Sequence, residues 1–459
     1  MLVTTDVAHD ARVVREAAAL AAAGHRVHVR GKDVPPDWTP PAGVTVASTG
    51  GGGGLRGGTP SPAAPTGQGQ RQASATPSER AAAKRRRNPL FRTARWWLLP
   101  LHRRRVWSRW NRVTEAEVTA EGRRYDVVHA HDFNTLPLAA RLAAAWGSRL
   151  VYDAHEWWSG RQRHGRPTPF ERLRERRTEA ALVGRADAVL TVSEGISLRL
   201  ARWTAARTPV AVVRNTFPRV PVPQPAEADG EAGAAADAMP RGVVYAGRIG
   251  GGRDLETVLG SAVPLRAAES GGAAAGLATV LVGPVDESYA ARLDLAGSGA
   301  ELRPTLDGDK VDEVLREVGI SVVTLTDTCE NHRLALPNKL FHAVRAGVPV
   351  VAADLPEIRR VVERYAIGEL YRPGDPASYQ AAVRRAVARY EELRAGVRAA
   401  VDELSWERDA QRLVELYAGL AADGAASDGA ASDGTASGGT TAAAEPAAEA
   451  LPTPAGGTQ

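Results

Sequence analysis

The chain has 459 residues, which is long for one ordinary core and suits two domains, and its 44% hydrophobic and 24% charged residues indicate a folded globular protein. A single cysteine, Cys329, excludes an intramolecular disulfide framework and a cysteine-based metal centre. The net charge of +5 comes from one segment, because eleven basic residues and no acidic one lie between Lys84 and Arg112. The rest of the chain has a net charge of −6, so the sequence does not indicate a general nucleic-acid-binding protein.

The first elements form a β-α-β unit. Residues 2–5 are predicted to be a strand, residues 10–23 a helix with one apolar stripe, and residues 27–29 the next strand. The first strand is so short that residue 1 need not be the natural start. Neither a signal peptide nor an apolar run of transmembrane length is predicted, so we expect a cytoplasmic protein.

Regular alternation of strands and helices resumes after a low-complexity stretch at residues 48–83, which we predict to be a disordered insertion, and the basic segment at residues 84–112. Strands are predicted at 126–130, 149–153, 188–192 and 210–213, with helices at 136–146 and 170–182. This alternation is typical of a doubly wound parallel sheet. Residues 1–217 therefore form a first Rossmann-like domain.

The pattern starts again after a linker at residues 218–240. Strands at 242–246, 278–282, 322–325 and 348–352 alternate with helices at 254–263, 311–318 and 340–345, which predicts a second Rossmann-like domain over residues 241–404. A last helix at 405–420 precedes a tail at 421–459 that is too polar and repetitive to order. The fold class is α/β, with a ligand expected in the cleft at the carboxyl ends of the strands.

A glycine-rich loop follows the first strand of the second domain. Arg248 and Arg253 flank the start of the next helix, where an anionic phosphate is well stabilised, and Asp254 is predicted to cap that helix. The planar fork of arginine suits a diphosphate. A plain turn with two solvated arginines is the alternative, and the local pattern leaves both open.

Histidines end two strands of the first domain. His129 and His131 share one face of their strand, and His155 follows the next strand. These histidines lack the spacing of known zinc motifs. The simpler interpretation is that they are polar residues at strand ends whose hydrogen bonds are satisfied within the fold. Their convergence on one edge of the sheet nevertheless favours an active site.

Taken together, the ordered motifs resemble those of a family 4 glycosyltransferase of the group 1 type, in its Leu-Pro-Asn-Lys subgroup. They are residues 10–16 (DARVVRE), 126–132 (DVVHAHD), 152–156 (YDAHE), 192–194 (VSE), 214–216 (RNT), 247–253 (GRIGGGR), 336–341 (LPNKLF) and 346–351 (AGVPVV). The resemblance implies a GT-B fold, a nucleoside-diphosphate sugar donor and transfer with retention at the anomeric carbon. It also implies that the final helix crosses back to the first domain.

The resemblance also implies roles for individual residues. Arg248 and Arg253 would hold the donor diphosphate and stabilise its leaving charge, and His155 would line the reaction centre. Further donor contacts are implied at Gly247, Glu330, Asn331, Pro337, Asn338, Lys339, Leu340 and His342. The acceptor side is implied at Asp10, Arg12, His131 and Asp132, and Asn215 is expected to be structural. No metal or other cofactor is expected, because arginines and a helix N-terminus would carry the diphosphate charge.

Two positions depart from the family pattern. The family usually has glutamates that contact the sugar and the ribose where this chain has Leu334 and His342. Leucine cannot hydrogen-bond a hydroxyl group, and His342 is a weaker ribose partner, so Glu330 and Asn331 are candidates for the missing contacts. A non-catalytic binding or scaffold protein and a GT-B nucleotide-sugar epimerase remain alternatives.

The basic segment at residues 84–112 has three interpretations. It holds four of the ten tryptophans, at positions 96, 97, 107 and 110, among its arginines. We favour a helix on an anionic membrane surface, at the inner face of the plasma membrane. A helical arm that packs its tryptophans on the first domain is the alternative. Single-stranded nucleic acid stacks on aromatic side chains of this kind, but no nucleic-acid-binding fold accompanies the segment, so no nucleic-acid partner is expected.

Overall fold

The computed structural model describes residues 1–49, 89–162, 169–205, 208–220, 239–267 and 276–432. Nearly all of the predicted insertion at 48–83, most of the linker at 218–240, and the tail beyond residue 432 lie outside these ranges. Contacts divide the chain into Met1–Leu416 and Tyr417–Gln459. The domains and sites described below all lie in Met1–Leu416. Within the described ranges, no helix combines the length and the apolar character that crossing a membrane requires.

The first domain contains two groups of parallel strands, β2-β1 and β3-β4-β5-β6, and Leu2 lies between them, where it bridges Arg30 of β1 and Ala130 of β3. Its strands are β1 (Val27–Gly31), β2 (Val44–Ser48), β3 (Val127–His131), β4 (Arg149–Ala154), β5 (Ala188–Thr191) and β6 (Val210–Val212). Its helices are α1 (Ala11–Ala22), α2 (Pro89–Ala120), α3 (Leu136–Trp146), α4 (Pro169–Val183) and α5 (Glu194–Leu200). The central strands are buried, as expected for a sheet covered on both faces.

The second domain has a six-stranded parallel sheet in the order β12-β11-β10-β7-β8-β9. Its strands are β7 (Gly242–Ala246), β8 (Ala278–Val282), β9 (Glu301–Arg303), β10 (Gly319–Val323), β11 (Val350–Ala353) and β12 (Gly368–Tyr371). Its helices are α6 (Leu255–Arg266), α7 (Glu287–Ala290), α8 (Leu295–Ser298), α9 (Gly308–Val318), α10 (Glu330–Leu334), α11 (Asn338–Ala346), α12 (Pro356–Tyr365), α13 (Pro376–Ala388) and α14 (Tyr390–Ala400). The strand order reverses between β7 and β10, which opens a crevice at their carboxyl ends. The predicted fold class is confirmed.

Several elements differ from the prediction: strands β9 and β12 and helices α12, α13 and α14 were not predicted, and β10 begins three residues before its predicted start. The predicted strand at 2–5 shrinks to the bridging residue Leu2, because Asp6 accepts a hydrogen bond from the Ala8 N–H (2.9 Å) and turns the chain into a short 3-10 helix. Strand β2 was not predicted. The last helix, α15 (Trp406–Ser432), continues through residues predicted to be disordered, since its alanines have high helix propensity.

The start of α15 returns to the first domain. The Trp406 N–H donates to the Phe217 carbonyl (2.9 Å), and the Thr216 hydroxyl donates to Asp409 (2.7 Å). Residues 214–217, which leave the first domain, are therefore fixed against the first turn of α15, as the resemblance implies.

Helix α2 contains the basic segment from residue 89 onward. The Trp107 ring lies against Trp158 with centroids 5.4 Å apart, and Trp110 is half-buried against the core of the first domain. These two tryptophans pack as the helical-arm interpretation predicts. Arg104, Arg105, Arg109 and Arg112 are exposed, so the helix also presents a basic surface.

Candidate active site

Asp153, at the end of β4, organises the polar residues of the first domain. Its buried carboxylate accepts two hydrogen bonds from the Arg12 guanidinium (2.7 and 2.9 Å). His155 Nε2 lies 2.9 Å and His131 Nδ1 lies 3.2 Å from Asp153 Oδ2. Arg12 also binds the Val213 carbonyl (2.7 Å), which ties the cluster to the last strand of the domain.

His155 is held between two carboxylates. Its backbone N–H donates to Asp132 Oδ1 (3.3 Å), and its Nδ1 lies 3.5 Å from Asp132 Oδ2. Burial alone would lower the pKa of His155, but Asp132 and Asp153 outweigh it and raise the pKa to about 10. The side chain is a protonated imidazolium at neutral pH, and it remains one-fifth exposed to the cleft.

Asp132 is held in the left-handed region of backbone conformation, with φ of 62°. The backbone of a non-glycine residue is strained in this region, and residues with such strain concentrate at functional sites. The strained turn directs the carboxylate of Asp132 toward His155. Asp10, the other predicted acidic residue on this side, caps α1 by accepting from the Val13 N–H (3.3 Å).

The strand-end histidines are part of a buried cluster with two carboxylates. The potential ligand atoms of Glu16, His129, His131 and Asp153 all lie within 4.8 Å of one another. Arg12 already contacts both carboxylates of this group, with its Nε 2.9 Å from Glu16. Burial outweighs Arg12 and raises the pKa of Glu16 to about 8. The donor set fits a cation by distance, but the guanidinium supplies the positive charge there, and the expectation of no metal stays a prediction.

The loop after β7 carries the arginines predicted to bind the donor. Gly247 has φ of 145°, and a Cβ atom on it would lie 2.9 Å from Lys339 Cε, so only glycine fits there without strain. Arg248 is exposed, and its nearest acid is Asp286 at 3.4 Å. Arg253 is half-buried beside the start of α6. Both arginines lie in the loop between β7 and α6, and their contact with a diphosphate stays a prediction.

Lys339 lies behind this loop in the first turn of α11. Its Nζ is 4.6 Å from the centre of the Tyr245 ring. Burial and, to a smaller extent, the charge of Arg253 lower the pKa of Lys339 to about 7. Of its predicted neighbours, Pro337 occupies the position before the helix, and the Leu340 side chain is buried in the core.

The prediction that Asp254 caps α6 is wrong. Asp254 stands at the start of the helix with φ of 54°, but its carboxylate accepts no hydrogen bond from a helix N–H group. It binds instead the hydroxyls of Thr257 (2.7 Å) and Tyr371 (2.9 Å) and the Gly374 N–H (3.1 Å). These three donors occupy the carboxylate, so it is turned away from the N–H groups of the first turn of α6.

Glu330 and Asn331 contact the first domain. The Trp157 indole N–H donates to Glu330 (2.8 Å), which also pairs with Arg199, and the Trp157 backbone N–H donates to Asn331 (2.7 Å). Leu334 is buried in the hydrophobic cluster of the first domain. These residues join the domains, and their donor contacts stay predictions.

His342 and Asn338 also lie at the junction of the domains. The His342 ring packs on Phe217 with centroids 3.8 Å apart, and its Nδ1 lies 3.4 Å from Asp312. Asn338 accepts a hydrogen bond from Asn215 (3.1 Å), the residue expected to be structural. A ribose contact by His342 stays a prediction.

Sequence reasoning missed two buried acids that position the site. Glu357 of α12 accepts from the Glu194 N–H (2.9 Å) and the Gly195 N–H (3.0 Å) at the start of α5. Glu16 lies one turn after Arg12 on the apolar face of α1. That four-residue spacing of opposite charges on a buried face was the available signal for Glu16. No comparable pattern marks Glu357.

Two family models match most of the chain. The model for the glycosyl transferase 4-like domain matches residues 9–216, and the model for glycosyl transferases group 1 matches residues 240–389. A D-inositol 3-phosphate glycosyltransferase of Geodermatophilus obscurus is 40% identical over 85 residues. That match covers 18% of this chain and about a fifth (19%) of the length of the relative.

Solved structures share the fold at low sequence identity. Sucrose-phosphate synthase of Thermosynechococcus elongatus is 16% identical with a TM-score of 0.61, over 92% of this chain and 98% of its own. Trehalose 6-phosphate synthase of Burkholderia multivorans is 13% identical with a TM-score of 0.58, over 92% and 99%. HepE of Anabaena, solved with UDP and glucose, is 14% identical with a TM-score of 0.58, over 91% and 99%. The two domains thus have the GT-B arrangement.

Proposed function

Because this chain belongs to the group 1 glycosyltransferases, with an N-terminal glycosyl transferase 4-like domain, we propose that it transfers a sugar from a nucleoside-diphosphate sugar to an acceptor with retention at the anomeric carbon. The donor binds the second domain and the acceptor the first. HepE, which was solved with UDP and UDP-glucose, supports the donor class.

The observation that carries the proposal is the meeting of two loops at the carboxyl ends of the sheets. Gln162 Oε1 lies 3.1 Å from the place of a Cβ atom on Gly252. Close by, the Trp157 backbone N–H donates to Asn331 of the second domain (2.7 Å), and the Asn331 amide donates to Glu156 (3.4 Å). The arginine loop and the His155–Glu156 turn therefore share one cleft.

In this proposal Arg248 and Arg253 bind the diphosphate. The bond between the anomeric carbon and the diphosphate oxygen breaks, and its electron pair leaves with the nucleoside diphosphate. The acceptor oxygen forms the new bond on the same face, and its proton passes to the departing phosphate oxygen. The guanidinium groups stabilise the charge that develops on that oxygen, and the positive charge of the His155 imidazolium, held between Asp132 and Asp153, adds to that stabilisation.

We extend the proposal to metal-free catalysis, with no other cofactor. Two arginines beside the α6 N-terminus provide the charge that a divalent cation provides elsewhere. His155, with a pKa of about 10, carries its proton at neutral pH and so cannot act as a general base there. Activity after treatment with a chelator tests this part of the proposal.

We also propose that the outer face of α2 binds an anionic membrane surface on the cytoplasmic side. Leu98 (60% exposed) and Leu101 (50%) lie on the same helix as exposed arginines. Flotation with vesicles containing anionic lipid, compared with pure phosphatidylcholine vesicles, tests this attachment. Equal recovery with both kinds of vesicle would contradict it.

The donor part of the proposal is tested by thermal stability with UDP-, GDP-, ADP- and dTDP-sugars. A ligand that binds the folded state raises the melting temperature by mass action. One nucleotide class should stabilise the intact protein and the control R384A, which alters an exposed arginine of α13, and should not stabilise R253A. If no nucleotide sugar stabilises the intact protein at millimolar concentration, the non-catalytic alternative replaces this proposal.

A further inference from the structure

A cavity of about 500 Å³ lies in the first domain between helices α2, α3 and α4. Its volume falls in the range of small-molecule sites. Phe133 and Asn134 of its wall directly follow Asp132, the residue that holds His155. The cavity therefore begins beside the proposed reaction centre and is separate from the arginine loop of the second domain.

Two amide oxygens in the wall of this cavity have no hydrogen-bond partner among the described residues. Asn111 is 8% exposed, and its amide N–H donates to the Asn134 carbonyl (3.3 Å), which leaves its Oδ1 buried and unsatisfied. Asn134 Oδ1 is unsatisfied as well. Buried acceptors of this kind require a donor, and hydroxyl groups of a bound molecule supply one.

Arginines line the outer part of the same cavity. Arg104 and Arg112 of α2 and Arg174 of α4 are exposed, and none makes an ion pair with another described residue. Arg141, by contrast, is bound through two hydrogen bonds to Glu115 (2.7 and 3.0 Å). Three guanidinium groups that lie around one opening and form no ion pair with a described residue favour a phosphate, which accepts several charge-assisted hydrogen bonds.

The cavity also has aromatic and acidic parts. Trp107 lines it and packs on Trp158, and Phe133 packs on Trp158 with centroids 5.3 Å apart. The carbon face of a sugar or polyol ring packs well on such aromatic side chains. Glu171 and Glu175 are buried in the wall, where carboxylates accept hydrogen bonds from hydroxyls and disfavour an anion. The anionic group therefore belongs among the arginines.

We propose that this cavity binds the acceptor and that the acceptor is a phosphorylated sugar or polyol. Its hydroxyl groups bind the asparagine oxygens and its phosphate binds Arg104, Arg112 and Arg174. The inference rests on the proposed glycosyl transfer, which leaves the acceptor open. The phosphate can belong to a soluble sugar phosphate or to a lipid headgroup such as a phosphoinositide, because both present the same chemistry.

Calorimetric titration of the full-length protein tests the proposal. The probes are glucose 6-phosphate, fructose 6-phosphate and inositol 3-phosphate, each compared with its unphosphorylated parent. A parallel arm measures co-sedimentation with phosphatidylcholine vesicles that contain phosphatidylinositol or, as the charge control, phosphatidylglycerol. Binding of a phosphorylated probe, or of phosphatidylinositol vesicles in preference to phosphatidylglycerol vesicles, is expected, and the positive arm identifies the source.

Variants locate the site. The double variant R112A/R174A should weaken binding at least about tenfold, because each arginine contributes charge-assisted hydrogen bonds. The control R109A/R176A alters exposed arginines of the same two helices that do not line the cavity, and it should bind like the parent. N111L keeps a side chain of similar size and removes the acceptor oxygen, so it should also weaken binding. Circular dichroism of all three verifies their folding.

Two results would overturn the inference: no phosphorylated probe bound together with no preference for phosphatidylinositol over phosphatidylglycerol vesicles, or equal loss in the control pair. Donor stabilisation by nucleotide sugars is measured on the same variants. Loss of acceptor binding with donor stabilisation retained is the result expected of R112A/R174A. Retained donor stabilisation with no phosphorylated probe bound contradicts this inference alone, whereas absent donor stabilisation contradicts the proposed function.

Discussion

At the residue scale, Asp153 determines the charge state of its neighbours. Burial alone would raise the pKa of Asp153, but Arg12 and His155 outweigh it and hold the pKa well below its ordinary value. The carboxylate therefore stays ionised and stabilises the imidazolium of His155. Burial lowers the pKa of His131, so the two histidines that contact one carboxylate differ in charge at neutral pH.

The pKa of His155 predicts a pH-dependent contribution to stability. Between pH 6.5 and about 10 the folded state keeps a proton that the unfolded state releases, so this stabilisation is complete below pH 6.5 and is lost as the pH rises to about 10. We expect the melting-temperature difference between the parent and H155Q to shrink from pH 7 to pH 10. The control is H102Q, at an exposed histidine of α2, and a difference for H155Q that does not vary with pH would contradict the assignment.

Gly247 permits a second prediction. The variant G247A places a methyl group 2.9 Å from Lys339 Cε at φ of 145°, which we expect to destabilise the fold by about 1–3 kcal/mol and to disturb the arginine loop. Urea unfolding measures the effect. G250A is the matched control, because the nearest atom to its added methyl is 3.5 Å away and its φ is ordinary. Equal stability of the two variants would refute the steric argument.

Sequence patterns predicted at which strand ends the candidate site residues lie but not how their charges pair. The histidines, the arginine loop and the acceptor-side residues lie where the alternation of strands and helices placed them. The pairing of Arg12 with Asp153 joins residues 141 positions apart, and it depends on how α1 packs across the sheet. Local patterns carry no information on such contacts.

At the element scale, the sequence located some elements accurately and missed others, among them the amphipathic helices α12 and α14. Helix α3 and strands β7 and β8 have the predicted bounds. Strand β2 was missed because it adjoins the low-complexity stretch, and the short helices α7 and α8 are too brief for a periodic pattern to appear. The predicted end of α15, at residue 420, is wrong. The glycines and aspartates of the following alanine-rich stretch indicate disorder by composition, whereas the helix continues through them to Ser432.

Helix α5 depends on a residue of the other domain. Glu357 accepts hydrogen bonds from two N–H groups at the α5 N-terminus, where a negative charge is stabilising. The variant E357A should lower the free energy of unfolding by about 1–3 kcal/mol, because both N–H groups lose a partner. Urea unfolding compares it with E363A, an exposed glutamate of the same helix. A loss no greater than that of E363A would contradict this role.

At the scale of the whole molecule, the positions that depart from the family pattern lie at the contact between the domains. Leu334 packs in the core of the first domain, and the Ser193 hydroxyl donates to its carbonyl (2.6 Å). His342 packs on Phe217, in the segment that leaves the first domain. The side chains at these two positions thus pack at the contact between the domains, and under the proposed function the donor contacts would fall to the arginine loop and Lys339.

The most direct test of the central claim is proton NMR of the intact protein mixed with the nucleotide sugar that stabilises it and the phosphorylated acceptor that binds it. The account predicts release of the nucleoside diphosphate and a new glycoside with the anomeric configuration of the donor, both absent with R253A. A folded protein that binds both compounds and forms no glycoside, or a product of inverted configuration, would contradict it.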